Sequence, residues 1–344
     1  MKNGHEPVAL IGAGPIGIEC AVALKRAGVD YFHIEKGQVG QTISWFPHMM
    51  RFFSSADRLA IAGVPVPRTD ESKCTREEYL AYLRSVVLQY GLDIHLYEEV
   101  TGIDRDDSSF TITSVHRGRT HTYRASSVIL ATGDMHRARM LGIPGEDLAH
   151  VSHYFNEPHR YFRQRVLVVG SRNSAVEAAI RCHRCGADVT MSCRGDAVDP
   201  TMVKYWILPE LEGFLRRDEI AVHYRTEPVS IDNDKVMLKR LDTGDMIEVQ
   251  ADFVLLMVGY TADTTLYRLA GIDLTGPEQR PELNEETMES SVPGVYVAGT
   301  ATAGSQQLYG VFVENCHVHV KRIIASLTGS PPPENPYHYD YPES

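Results

Sequence analysis

The sequence lacks three features that would place the chain in other classes of protein. No apolar run is as long as a membrane span, and the first one is too short for a signal peptide. Basic residues are not in excess, because the formal net charge is −11. This charge argues against non-specific binding to nucleic acid or anionic membranes. The six cysteines are too few and too scattered for a disulfide framework in 344 residues. We therefore expect a soluble, cytoplasmic protein without membrane or nucleic-acid partners.

A glycine-rich motif follows the first apolar run, Val8–Ile11. The sequence Gly12-Ala13-Gly14-Pro15-Ile16-Gly17 leads from this predicted strand into a helix-like run. G-x-G-x-x-G in that context is a dinucleotide fingerprint, because its glycines allow a tight turn, close approach of a pyrophosphate and close helix packing. Glu35 ends the next predicted strand, where an acid holds ribose hydroxyls. The predicted adenine dinucleotide site comprises Gly12, Gly14, Pro15, Ile16, Gly17, Glu35 and Lys36.

The same pattern recurs in the middle of the chain. A shift of 158 positions places Gly12 on Gly170, Gly17 on Ala175, Glu35 on Cys193 and Lys36 on Arg194. Arg172 replaces the middle glycine, and the ribose-binding acid is lost beside Arg194, a pattern that accommodates a 2′-phosphate. We therefore predict FAD at the first site and NADPH at the second, although Arg194 facing bulk solvent is the alternative. The predicted NADPH-binding residues are Gly170, Arg172, Asn173, Ser174, Ala175 and Arg194.

Three further stretches are typical of the flavin half of such a protein. An aromatic run from Trp45 to Phe53 precedes Ser54 and Ser55, and rings with hydroxyls suit a flavin, although the rings alone are more simply interpreted as core. Buried strands end in Ala131-Thr132-Gly133 and in Ala298-Gly299-Thr300. Flavoproteins of this plan usually have aspartate where Thr300 stands, so this contact must be weaker or come from backbone groups. A helix from about residue 306 to 327 is predicted to follow.

Two groups of possible metal ligands are assigned structural roles. Cys182-His183-Arg184-Cys185 lies at the end of the second fingerprint helix and has no second cysteine pair nearby. His150, His153 and His159 have no cysteine or carboxylate at ligand spacing. We predict no metal site, and the sequence identifies no catalytic residue.

The order of these segments predicts an α/β fold with two Rossmann-like domains. The FAD-binding domain is discontinuous, covering 1–150 and 260–330, and the NADPH-binding domain, 151–259, is inserted in it. Thr75-Arg76-Glu77-Glu78 is a capping box that predicts a helix to about Tyr90. Residues 331–344 form a tail without a core of its own. Its Tyr337, His338 or Tyr339 is nevertheless a candidate to cover the flavin.

From Val8 to Leu327 the chain resembles the bacillithiol disulfide reductase (YpdA-like) family of thioredoxin-reductase-like flavoproteins. The residues that carry the resemblance are Phe52-Phe53-Ser54-Ser55, Ser152-His153-Tyr154-Phe155, Asn173-Ser174-Ala175-Val176-Glu177-Ala178-Ala179, Trp206-Ile207-Leu208-Pro209-Glu210 and Val313-Glu314-Asn315. The resemblance implies FAD, NADPH, a homo-oligomer and reduction of the disulfide of a small thiol. That family carries a cysteine in its opening fingerprint, thought to handle the substrate thiol, where this chain has Ile16.

The sequence is compatible with more than one class of electron acceptor. Thioredoxin reductases carry Cys-x-x-Cys just before the second fingerprint strand, and the corresponding stretch here, 151–165, has no cysteine. A low-molecular-weight disulfide is favoured by the resemblance. A small electron-transfer protein such as ferredoxin or flavodoxin is favoured by the missing cysteines. A flavin monooxygenase or a non-catalytic NADPH-binding sensor is the remaining alternative.

Overall fold

The computed structural model of the protein describes residues 6–106, 109–306 and 310–331. The chain forms two compact units. The first contains the residues up to Ser44, Met49–Arg137 and the residues from Tyr260 onward, and the second contains Trp45–His48 and Ala138–Gly259. The proposed flavin-covering residues of the tail, Tyr337, His338 and Tyr339, lie outside the described residues.

The secondary structure is mixed along the whole described chain. The strands are β1 Val8–Ile11, β2 Tyr31–Glu35, β3 His95–Leu96, β4 Glu98–Arg105, β5 Phe110–His116, β6 Arg119–Ala125, β7 Ser127–Leu130, β8 Arg137–Ala138, β9 Val151–Ser152, β10 Arg165–Val169, β11 Asp188–Cys193, β12 Ala221–Tyr224, β13 Thr226–Ile231, β14 Lys235–Arg240, β15 Met246–Gln250, β16 Phe253–Leu256, β17 Tyr260–Thr261, β18 Leu274–Thr275, β19 Arg280–Pro281 and β20 Val295–Val297. The helices are α1 Pro15–Ala27, α2 Gln41–Ser44, α3 Ala56–Leu59, α4 Arg76–Tyr90, α5 Asn173–Arg184, α6 Leu208–Arg216, α7 Thr265–Leu269 and α8 His317–Thr328.

The first unit is built on a parallel five-stranded sheet in the order β20-β7-β1-β2-β3. All four residues of β1 are buried, as expected of a central strand in a parallel sheet. Helices α1 and α8 pack against each other, and an antiparallel sheet, β4-β5-β6, precedes β7 in the chain. The turns that follow β1, β7 and β20 therefore share the carboxyl edge of one sheet, where ligands bind in folds of this kind.

The second unit repeats this plan. Its parallel sheet has the order β12-β11-β10-β16-β9, and an antiparallel sheet, β13-β14-β15, precedes β16. In the first unit the fingerprint strand β1 lies between β2 and β7, and β7 follows the antiparallel sheet. In the second unit β10 lies in the same way between β11 and β16. The fifth strand differs, because β20 comes from the end of its unit's chain whereas β9 precedes the fingerprint. The internal repeat seen in the sequence is thus a repeat of topology.

The capping-box helix is confirmed. Helix α4 begins after Thr75, whose hydroxyl accepts from the backbone N–H of Glu78 while the Glu78 carboxylate accepts from the backbone N–H of Thr75. It ends at Gly91, which adopts φ +53° in the left-handed region that favours glycine.

The predicted C-terminal helix starts later than the sequence indicates. The pattern places its start near Gln306, but α8 begins at His317. The Gln306 side chain is turned inward, and its Oε1 accepts from the backbone N–H groups of Gly310 and Val311 at 3.0 and 2.9 Å. Residues 310–312 are not helical and residues 313–315 form only a short 3-10 turn, so over these described residues the prediction of a helix from residue 306 is wrong.

The stretch from Ala138 to His150, which the sequence assigns to the first domain, folds with the second unit. Ile143 and Leu148 pack against the buried residues around β10 and β14. The backbone N–H of Ile231 donates to the carbonyl of Pro144 at 2.9 Å. The apolar side chains of this stretch are therefore buried by the second sheet.

Helix length is far from that of a membrane span. Within the described ranges no helix combines the length and apolar character needed to cross a bilayer.

Candidate cofactor sites

The first fingerprint turn has a shape that only glycine allows. Gly12 has φ +105°, and a Cβ there would lie 2.5 Å from the carbonyl oxygen of Ala131. A Cβ at Gly17 would lie 1.9 Å from the carbonyl oxygen of Gly12. At Gly14, by contrast, a Cβ would meet nothing within 4 Å, so the backbone there faces open space. Gly14 is also the N-cap of α1 and Pro15 is its first residue, so the helix presents its N–H groups at this opening. These residues fit a dinucleotide pyrophosphate.

Two side chains of β2 support this turn. The Glu35 carboxylate accepts from the backbone N–H of Ala13 at 2.6 Å and of Gly37 at 2.7 Å. Burial raises the pKa of Glu35, and these two bonds oppose that rise by favouring the charged form. His33 Nε2 lies 2.9 Å from the carbonyl oxygen of Gly12, and since a carbonyl only accepts, the ring donates. His33 is fully buried, and burial lowers its pKa to about 4, so the ring is neutral. No motif in the sequence singles out His33.

The other predicted flavin-site residues lie at the ends of neighbouring strands. Thr132 and Gly133 follow β7, and Gly299 and Thr300 follow β20, which pairs with β7 in parallel. A Cβ at Gly133 would lie 3.7 Å from the Thr300 hydroxyl oxygen. Tyr267 lies close to Thr132, and its hydroxyl donates to the carbonyl of Ala301 at 2.8 Å. The structure therefore brings these four residues together at the carboxyl edge of the first sheet.

The sequence did not single out a buried carboxylate at this edge, Asp134. Gln306 Nε2 donates to Asp134 Oδ2 at 2.8 Å, and the Thr300 side chain lies close enough to this carboxylate to lower its pKa. Asp134 is 7% exposed, and burial raises its pKa while these two side chains lower it. Its only signal in the sequence is its position directly after Ala131-Thr132-Gly133.

Ile16 stands at the position of the family's fingerprint cysteine. Its side chain is 5% exposed and packs against Gly299, where an added Cβ would lie 3.3 Å from the Ile16 Cβ. The backbone N–H of Gly299 donates to His319 Nδ1 at 3.3 Å. An aliphatic side chain therefore fills the space between α1 and the turn after β20.

Ser54 and Ser55 are held near a different part of the first unit. The Ser54 hydroxyl donates to Glu314 Oε1 at 2.6 Å, linking two of the stretches that carry the family resemblance. Ser55 is the N-cap of α3 and hydrogen-bonds Asp57. The interpretation of the aromatic residues as core is wrong for Phe53, which is 40% exposed. Trp45, Phe46 and Phe52 are half-buried, and the Phe52 ring packs edge-on against buried Tyr79 with the ring centroids 4.9 Å apart.

The backbone of the second fingerprint turn shows why Arg172 can replace the middle glycine of the pattern. Gly170 has φ +129°, and a Cβ there would lie 2.6 Å from the carbonyl oxygen of Met257. Arg172 has φ −101°, an extended backbone open to any residue, so the middle glycine is not required. Arg172 is the exposed N-cap of α5, and the helix begins with Asn173, exposed Ser174 and buried Ala175. The turn therefore keeps its shape while placing a guanidinium group beside a helix N-terminus.

The second strand of this unit ends differently from β2. Cys193 is buried and its thiol donates to the carbonyl of Gly170, with the sulfur 3.5 Å from the oxygen. Arg194 follows it and is exposed. Asn173 Oδ1 accepts from the backbone N–H of Lys204 at 2.6 Å, which orients this side chain at the start of α5. Lys36, the counterpart of Arg194 in the first unit, pairs at the surface with Glu99 at 2.7 Å.

The six cysteines are free thiols, and burial makes the buried ones poor nucleophiles. Five of the six cysteines are buried and only Cys185 is partly exposed. Burial raises the pKa of Cys74 and Cys193 to about 11, and that of Cys182 to about 12. A thiol with a raised pKa is a poor nucleophile at neutral pH. Within the described ranges, no three or more His, Cys, Asp or Glu residues are grouped to hold a metal ion.

The two fingerprint turns and their sheets define a class of protein. Residues 9–299 match the family described as pyridine nucleotide-disulphide oxidoreductase. The chain is 35% identical to "Bacilliredoxin reductase Bdr" of Bacillus subtilis, over 94% of this chain and 98% of the relative. This protein therefore belongs to the pyridine nucleotide-disulphide oxidoreductases and, within them, to the bacillithiol disulfide reductase (YpdA-like) family.

Solved structures agree with this assignment. The protein is similar to "Bacillithiol Disulfide Reductase Bdr (YpdA)" of Staphylococcus aureus, with a TM-score of 0.88, 33% identity and coverage of 94% of this chain and 98% of that one. It shares its fold with thioredoxin reductase of T. acidophilum, with a TM-score of 0.72, 21% identity and coverage of 94% and 98%. The predicted family, the thioredoxin-reductase-like α/β fold and the assignment as an oxidoreductase are confirmed. FAD and NADPH, the predicted cofactors, are those of this family.

Proposed function

We propose that the first unit binds FAD, that the second binds NADPH, and that the enzyme uses them to reduce the disulfide of a low-molecular-weight thiol. The observation that supports this most is the contrast between the two turns. One strand ends in a buried carboxylate, Glu35, and its counterpart ends in Cys193 followed by an exposed arginine, Arg194. A carboxylate suits free ribose hydroxyls, whereas a guanidinium without an acid suits a 2′-phosphate.

In this proposal the residues of the first turn hold FAD. Gly14 and the start of α1 receive the pyrophosphate, and Glu35 accepts from a ribose hydroxyl while it keeps the N–H of Ala13 in place. Gly133, Gly299 and Thr300, at the same sheet edge, contact the flavin half. Bound FAD supplies two-electron chemistry, accepting a hydride from NADPH and passing the electron pair to the acceptor.

The second turn holds NADPH in this proposal. Arg172, Asn173 and Ser174 lie at the start of α5, where backbone N–H groups favour a pyrophosphate. Arg194 donates to the 2′-phosphate. Because Arg172, Ser174 and Arg194 are exposed, this turn suits a nucleotide that binds and leaves in every turnover.

The acceptor is inferred from the relatives and from the state of the thiols. The Bacillus and Staphylococcus proteins are named as reductases of bacilliredoxin and bacillithiol disulfide. The buried cysteines of this chain, with their raised pKa values, are poor candidates for a thiol relay. We therefore place electron transfer directly between bound flavin and a small disulfide, with Ile16 lining the site without reacting. We further propose a cytoplasmic homo-oligomer.

Anaerobic stopped-flow spectroscopy tests the function. The purified protein should be yellow, NADPH should bleach its flavin faster than NADH, and bacillithiol disulfide should restore the absorbance. Ferredoxin, flavodoxin, a quinone and oxygen serve as comparison acceptors. Recovery with ferredoxin but not with any small disulfide would make the protein a ferredoxin reductase. Bound flavin that NADPH does not reduce would make it a sensor.

A further inference from the structure

We propose that Asp134 binds FAD by accepting a hydrogen bond from a hydroxyl of its ribityl chain, with Thr300 as the group that orients it. This proposal rests on the proposed function, because it requires FAD in the first unit. The first observation that supports it is the position of the Asp134 carboxylate. Asp134 follows β7 and Thr300 follows β20, and these parallel strands lie next to each other and next to β1. The carboxylate therefore lies at the same sheet edge as the fingerprint turn.

The hydrogen-bond partners of Asp134 do not neutralise its charge. The groups that lower its pKa are the neutral side chains of Thr300 and Gln306 and its own backbone N–H. A buried carboxylate is costly unless it is paired or well hydrogen-bonded. An ionised carboxylate offers about four acceptor positions, more than these donors fill. A polyol chain, whose hydroxyls are neutral donors, supplies further hydrogen bonds of the required kind.

The surroundings of Asp134 distinguish the flavin half of FAD from its adenosine half. Glu35 ends β2 on one side of β1, whereas Asp134 follows β7 on the other side. A dinucleotide whose pyrophosphate lies over the turn after β1 therefore extends its two halves in these two directions. Burial raises the pKa of the thiol of Cys316, the N-cap of α8, and the charges of Glu314 and Asp134 add to that rise.

The contact between Asp134 and Thr300 yields an exchange experiment. Apoprotein is titrated with FAD by flavin fluorescence for the wild type, Asp134→Asn, Thr300→Asp and the double variant. Asparagine keeps an oxygen for Gln306, and we expect the Kd for FAD to rise at least about tenfold, the value of one charge-assisted hydrogen bond. Thr300→Asp alone places two carboxylates in contact and should also weaken binding. The double variant restores one carboxylate beside one neutral partner, and its Kd should return to within about threefold of the wild type.

ADP serves as the control ligand because it carries the adenosine half without the ribityl chain. Its affinity should be unchanged in Asp134→Asn and reduced in Glu35→Gln. Wild-type-like FAD affinity in Asp134→Asn, or a double variant that binds no better than Asp134→Asn, would reduce Asp134 to a structural anchor of the Gln306 side chain. If Asp134→Asn does not fold, the double variant must fold and bind FAD for the proposal to stand. A wild-type apoprotein that does not bind FAD at all would overturn the proposed function instead.

Discussion

The two fingerprint turns share one backbone plan but are held by different side chains. In the first unit the carbonyl of Gly12 accepts from His33, and the Glu35 carboxylate holds the N–H of Ala13. In the second unit the matching carbonyl, that of Gly170, accepts from the thiol of Cys193. The first set of bonds is buried and strong, since it includes a charged acceptor, whereas a thiol is a weak donor.

This difference indicates two ways of binding the same chemical motif. A turn fixed by a buried acid and a buried imidazole loses little entropy when a ligand binds, which favours a cofactor that stays bound. A turn with exposed arginine side chains relies on charge, which favours rapid capture and release. We infer that the first unit was selected for retention of FAD and the second for exchange of NADPH.

The largest effect is expected from adding one methyl group to the first turn. In Gly17→Ala the new Cβ would lie 1.9 Å from the carbonyl oxygen of Gly12, so the helix must move away from the strand. We expect FAD affinity to fall by about 10- to 100-fold, since such overpacking costs roughly 1–3 kcal/mol. The matched control is Ala175→Gly, which should lower the free energy of unfolding by about 1 kcal/mol and leave FAD bound. The flavin content of each purified variant measures FAD binding, and urea denaturation measures the free energy of unfolding. Equal flavin content in Gly17→Ala and Ala175→Gly would contradict the assignment of FAD to the first turn.

The next effect concerns the choice of nicotinamide nucleotide. Arg194→Ala removes one charge-assisted hydrogen bond, worth about 1.5–3 kcal/mol, and should raise the KM for NADPH about tenfold or more. The KM for NADH should stay nearly the same. Adding Cys193→Glu to that variant restores the acid of the first turn and should give a preference for NADH. Steady-state kinetics with both nucleotides decide this, and similar efficiencies with NADH and NADPH in the wild type would count against the assignment.

A third experiment tests the support from His33. His33→Leu leaves the buried carbonyl of Gly12 without this donor and should cost about 1–3 kcal/mol of unfolding free energy. FAD affinity should fall with it. His33→Gln retains an N–H donor and should recover most of both losses. If the glutamine variant binds FAD no better than the leucine variant, the imidazole acts through packing alone.

The same histidine should make stability depend on pH. Its pKa is lowered by burial to about 4, against about 6.5 when unfolded. Between these values the unfolded chain binds a proton that the folded chain does not, so stability falls as pH falls from about 6.5 to 4. The full loss is about 3 kcal/mol for this one group. Denaturation of the wild type and His33→Gln across this range should show a shallower slope in the variant; parallel curves would exclude His33 as the source.

The smallest effect is expected at Lys36. Its ammonium group pairs with Glu99, and the two side chains are 71% and 51% exposed. Exposed pairs of this kind contribute about 0–1 kcal/mol. Lys36→Ala should therefore change FAD affinity by less than about threefold, which separates this position from Arg194. A larger change in the FAD titration would show that Lys36 reaches the cofactor.

Both turns could be predicted because their information is local. The glycine spacing and the apolar strand before each turn are visible in a short window of sequence, as is the capping box of α4. The contacts of Asp134 with Thr300 and of His33 with Gly12 could not be predicted in this way. Each joins residues far apart in the chain, and strand pairing alone brings them together.

The start of α8 shows a second limit. Residues after Gln306 carry an apolar pattern compatible with a helix, so the sequence favours one from that point. In the structure the amide of Gln306 binds Asp134 and the backbone of Gly310 and Val311. A side chain that satisfies backbone groups in this way competes with helix formation. Local propensity is overridden there by a hydrogen-bond network that includes a residue of another strand.

The origin of the fifth strand in each sheet has a consequence for folding. Strand β9 pairs with β16, which lies much further along the chain, but all five strands of the second sheet come from one continuous piece of chain, 151–256. Strand β20 pairs with β7, and residues 131–294, which contain all of the second unit except Trp45–His48, lie between these two strands. Closing so long a loop costs entropy before any contact rewards it, and such pairings form late. During synthesis this edge of β7 is paired only after residues 295–297 have been made, so the flavin edge that carries Thr300 is completed after every strand of the second sheet has been synthesised.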